Sequence, residues 1–127
     1  MKKILIIFLT SILIFSCKKE PKTKLIGEWK EHYGVGMETN VDYEIYKIQL
    51  TIEGDLVITC LTRNNYLFDK ILFDGNELSY RIENTIDHNE KFYIYGKLKL
   101  NSNKKWLEGT VVNSRDKSGN IKWEKIK

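Results

Sequence analysis

From Leu25 to Lys127 the chain sets large apolar side chains against polar ones in short alternating runs, each closed by a turn signal. A two-residue beat is the pattern of a strand with one buried face, so it leaves little room for helix. In the first run, Leu25, Gly27, Trp29, Glu31 and Tyr33 alternate with Ile26, Glu28, Lys30 and His32. A loop, Gly34 to Val41, follows; its Gly-x-Gly precedes no helix that could hold a phosphate.

The pattern predicts seven more strands. The second spans Asp42 to Ile52, with Tyr46, Ile48, Leu50 and Ile52 on one face and a bulge reconciling the opposite parity of Tyr43 and Ile45. The third turns Leu56, Ile58 and Cys60 inward and reaches a two-residue hairpin at Asn64-Asn65. Tyr66 to Phe73, the fourth, is apolar on both faces around a charged middle, which calls for another bulge, for a face covered by the tether or for a face that meets a partner. Asp74-Gly75 then marks a hairpin. The fifth strand points Leu78, Tyr80 and Ile82 inward and ends before Asp87. The sixth, Phe92 to Leu100, divides Phe92, Ile94, Leu98 and Leu100 from Tyr93, Tyr95, Lys97 and Lys99, and Gly96 marks a bend. Trp106 to Asn113 and Ile121 to Ile126 complete the set.

Short turns between such strands exclude the crossovers that parallel pairing needs, so the sheet is an antiparallel meander. Closing it removes both exposed edges. At eight strands the interior is just wide enough to be filled by side chains or to hold one small ligand. The expected fold is therefore all-β, an eight-stranded antiparallel up-and-down barrel over residues 25–127, and at 127 residues one domain is expected.

The first residues read differently. Lys2 and Lys3 precede an apolar run from Ile4 to Phe15, too short to span a bilayer comfortably, which fits an export signal over residues 1–16. Its ending, Ile14-Phe15-Ser16-Cys17, resembles the lipobox of bacterial lipoproteins. The resemblance implies acyl chains on Cys17 and a membrane partner reached through them; several chains hold a protein durably where one does not. Residues 17–24, charged and containing Pro21, read as a flexible tether. The expected location is the bacterial cell envelope, lipid-anchored at the outer membrane, on its periplasmic or surface side.

Leu25-x-Gly27-x-Trp29 at the head of the first strand resembles the opening signature of lipocalin-like proteins, in which the Trp closes one end of the barrel. The Thr-Asp-Tyr element and C-terminal helix of the larger transport lipocalins are absent, so the resemblance lies with small bacterial lipocalin-like domains. It implies that Gly34 to Val41 form the loop at the barrel mouth.

Charge and motifs narrow the function. Formal charge falls from +4 to +2 once Lys2 and Lys3 leave with the signal, and basic residues are interleaved with acidic ones, unlike a nucleic-acid interface. No nucleophile elbow, zinc-protease motif or phosphate loop occurs, so no catalytic residue, cofactor or metal is assigned. His32 and His88 could bind metal only by meeting Asp87 or Glu90. Cys60, with no partner once Cys17 is acylated, reads as a buried apolar side chain. A non-catalytic binding protein is the expectation. In one version Trp29, Tyr46, Tyr80, Phe92 and Trp123 line a site for a small apolar ligand. In the other those residues fill the core, and Tyr43, Tyr93 and Tyr95 face an envelope protein that the module binds or inhibits.

Overall fold

The computed structural model describes residues 20–33, 44–87 and 90–127, with side chains excepted from 85 to 90. Eight strands run β1 Gly27–Tyr33, β2 Ile45–Leu50, β3 Leu56–Cys60, β4 Tyr66–Phe73, β5 Glu77–Asp87, β6 Glu90–Leu100, β7 Trp106–Asn113 and β8 Ser118–Lys125. Each pairs antiparallel with the next, and β1 pairs with β8, so the sheet closes into an all-β barrel. The seam sets Trp29 opposite Lys125 and Glu31 opposite Trp123. Among the described residues every strand has a neighbour on both sides, so none is left as an edge to recruit another chain.

One end is shut. Lys22–Leu25 form a 3-10 turn beneath the barrel, Leu25 and Trp29 are fully buried, and the Trp29 indole donates to the Leu25 carbonyl over 2.9 Å. Trp29 thus closes the barrel, as the opening signature implies. The Gly27 backbone has φ of +146°, and a Cβ there would lie 2.1 Å from the Lys127 carbonyl oxygen, so only glycine lets the chain's last residues cross under this end. The Glu28 amide uses that closeness, donating to Lys127 O over 3.0 Å. Lys22 to Lys24, the last residues of the expected tether, are therefore part of the folded end, and Leu25 lies in that turn instead of opening the first strand.

The inward sets of β3 and β5 follow the alternation: Leu56, Ile58, Cys60, Leu78, Tyr80 and Ile82 are all buried. In β4 the register shifts between Asp69 and Leu72, with Lys70 in the left-handed region at φ of 51°. That bulge changes the parity, so Tyr66, Phe68, Ile71 and Phe73 all pack on the core while Leu67 and Leu72 stand exposed.

Several details differ from the expected pattern. Ile52 does not continue the inward face of β2; it sits in the turn after Leu50 and is fully exposed. Asn64-Asn65 is not a two-residue hairpin, because residues 61–65 all connect β3 to β4 and Glu44 draws Thr62 and Arg63 aside. β5 runs on through Asp87, and β8 starts at Ser118, where it continues to pair with β7. Gly96 leaves room for a ring: a Cβ there would lie 2.2 Å from Tyr80 Cζ.

Candidate functional site

The centre of the barrel is aromatic. Tyr46 and Trp123 rings lie 4.5 Å apart, Tyr80 stacks on Trp123 at 5.3 Å, and Phe68 meets Tyr46 and Tyr80 each at 5.2 Å. Offset and edge contacts at these separations fill space efficiently and favour one another's quadrupoles. Three of the expected ligand-lining residues, Tyr46, Tyr80 and Trp123, therefore form a packed floor, and the fourth, Trp29, closes the end beneath it. Tyr80 Oη is the one buried side-chain oxygen or nitrogen without a hydrogen-bond partner among the described residues.

Above the floor the interior turns polar. Glu31 is 4% exposed and accepts hydrogen bonds from Tyr46 Oη at 3.2 Å and Trp123 Nε1 at 2.9 Å. Burial raises its pKa; the hydrogen bonds from Tyr33, Trp123 and Tyr46 pull the other way, and the neighbouring Glu44 charge adds to the rise. The parity of β1 places Glu31 inside beside Trp29, but nothing local in the sequence marks the donors Tyr46 and Trp123, which come from β2 and β8.

Glu44 lies next to it, its carbonyl accepting from the Glu31 amide at 2.9 Å. Although burial pushes its carboxyl upward, Thr62, Arg63 and Cys60 all bond to it, and the net effect is a lowered pKa. Burial raises the Cys60 thiol. The two carboxylates thus differ in character, one held by neutral donors and one by a guanidinium.

Beyond this belt, in the half of the barrel opposite the Trp29 end, the inner face carries apolar groups that are only half covered. Tyr66, Asn84 and Phe92 occupy one cross-strand row, Ile82 and Ile94 the next, and Gly96 and Val111 the one below. Tyr66, Phe92, Ile94 and Val111 all retain solvent access, and Arg115 covers the Phe92 ring at 5.4 Å. Phe92, the fifth expected lining residue, therefore lies at the rim, apart from the four deeper ones. Asn84 is buried and accepts from Asn65 Nδ2 at 2.8 Å.

Compared with family models, curated proteins and solved structures, the chain matches none significantly.

On the outer wall, Arg81 is bound by Asp69 and lies over the Tyr93 ring at 4.6 Å. Tyr95, its neighbour on β6, is 44% exposed and pairs with Val112 on β7. Tyr93 and Tyr95 thus share one wall, whereas Tyr43, Cys17, His88 and the Gly34 to Val41 loop lie outside the described residues. A separate depression of about 510 Å³ spans β1, β7 and β8, lined by His32, Tyr33, Glu108, Thr110, Asn120 and Lys122 among others. His32 pairs there with Glu124 at 3.2 Å and packs on Trp106. Among the described residues no three His, Cys, Asp or Glu side chains gather as metal ligands.

Proposed function

We propose that the protein is a non-catalytic lipoprotein of the bacterial envelope, held by acyl chains on Cys17, whose lipocalin-like barrel binds a small, largely apolar ligand in a shallow cup at its open end. The observation that carries this is the set of inner-facing, half-covered apolar groups, Tyr66, Phe92, Ile94 and Val111, above a closed aromatic floor. Inward apolar side chains that keep contact with water are what a ligand would cover. The packing of Tyr46, Phe68, Tyr80 and Trp123 confines the ligand to the rim instead of the barrel's depth.

A second reading rests on the wall of Arg81, Tyr93, Tyr95 and Val112, where tyrosines and an arginine suit a protein partner. The two separate by substitution. N-phenylnaphthylamine, an apolar dye that brightens out of water, should bind the wild type and lose most of its signal with Phe92→Glu, while Tyr95→Glu leaves it unchanged. Dye binding indifferent to Phe92 would overturn the cup; an envelope protein co-purifying with wild type but not with Tyr95→Glu would then favour the wall.

A further inference from the structure

We infer that the closed end of the barrel rests on the membrane surface and that the cup opens away from it. This rests on the anchoring of Cys17 proposed above and deepens it, because it fixes from which side a ligand must arrive. The chain is already stitched to the closed end at Glu20: its amide donates to the Gly75 carbonyl over 2.9 Å, and its carboxylate pairs with Lys104 at 2.9 Å. Gly75 lies in the β4–β5 turn and Lys104 in the β6–β7 turn, both at the end shut by Leu25 and Trp29. Only three residue steps separate Cys17 from Glu20, and at up to ~3.6 Å per residue they reach about 11 Å at most. An acylated Cys17 therefore holds that end close to the headgroups.

The surface of this end suits such a neighbour. Ile52, at the tip of the β2–β3 turn, is 104% exposed, and Ile26 and Ile126 beside the chain crossing are 39% and 43% exposed. These are apolar groups that the fold itself does not cover. Exposed Lys22, Lys24, Lys105 and Lys127 stand at this end beside exposed Glu53, Asp55 and Asp74, with Lys22 reaching the Gly54 carbonyl at 3.1 Å. Basic side chains around a few apolar ones favour the interface of an anionic bilayer. The half-covered side chains of the cup lie at the far ends of the strands, so a ligand enters from the aqueous side and not from the bilayer.

The test uses full-length lipidated protein in vesicles of phosphatidylethanolamine and phosphatidylglycerol, some carrying brominated acyl chains that quench nearby fluorophores. A fluorophore is placed at Ile52→Cys on the closed end or at Ser114→Cys in the turn after β7, both exposed positions outside the core. The expected result is loss of most of the emission from position 52 and none from position 114. Protein that floats with the vesicles but shows equal quenching, quenching at 114 alone, or none at either position overturns the orientation while leaving the anchor standing. Protein that fails to float overturns both.

Discussion

The Trp123 indole donates to the Glu31 carboxylate over 2.9 Å across the seam where β8 meets β1. Together with the Tyr46 hydroxyl it ties three strands to one buried oxygen pair. Burial raises the Glu31 pKa above its ordinary value of 4.5, although the hydrogen bonds oppose the rise. A carboxyl raised in the folded state favours folding fully at pH below that ordinary value, and the benefit is lost as pH climbs through the folded value. Glu31→Gln removes the titration while keeping an acceptor. Urea midpoints between pH 4 and 8 should therefore rise for the variant relative to wild type as pH increases. A constant offset between the two would refute the assignment.

Glu44 predicts the opposite slope. Despite burial, its bonds from Thr62, Arg63 and Cys60 lower its pKa, so its contribution is present above 4.5 and lost as pH falls through the folded value. Arg63→Ala leaves a buried carboxylate without its cation. The expected cost is about 1–3 kcal/mol at pH 7, shrinking toward acid as Glu44 takes up a proton. Chemical denaturation at both ends of that range measures it, and a loss of equal size at acid pH would contradict the pairing.

Gly96 and Tyr80 should prove coupled. A methyl at 96 would fall 2.2 Å from Tyr80 Cζ, so Gly96→Ala is expected to cost about 1–3 kcal/mol by overpacking. In a Tyr80→Leu background the ring is gone and most of that cost should vanish, a coupling that a double-mutant cycle reads directly. Tyr80→Phe alone should be neutral or slightly stabilising, because the hydroxyl it removes is buried without a partner. Additive losses in the cycle would show that the two do not touch.

Cys60 is 8% exposed and its thiol is held above the ordinary range by burial. In a Cys17→Ala chain a maleimide should leave the folded protein unlabelled and react promptly in denaturant. Rapid labelling of the native chain would place the thiol at the surface.

Much of the barrel is legible in the sequence because its causes are local. Leu78, Tyr80 and Ile82 are buried where alternation puts them, and the apolar residues on both faces of β4 resolve as one of the three alternatives, a bulge at Lys70. What escapes has distant causes. Thr62 and Arg63 spoil the Asn64-Asn65 hairpin by bonding to Glu44, nearly twenty residues away, and no spacing in the 61–65 segment announces that. Ile52 keeps the beat of β2 but lies past its last ladder pair, Leu50 with Leu56, so periodicity carried one step too far assigns it to the core. For the candidate site, the parity of Phe92 was readable, yet its place at the rim depends on how Tyr46, Tyr80 and Trp123 crowd the centre.

The pairing of β1 with β8 also sets an order of events. A polypeptide made amino end first presents β1 long before its second neighbour exists, so that strand must wait with one row of amides and carbonyls unclaimed. The cylinder can shut only once β8 has been made, so closure is the last step that the order of synthesis allows.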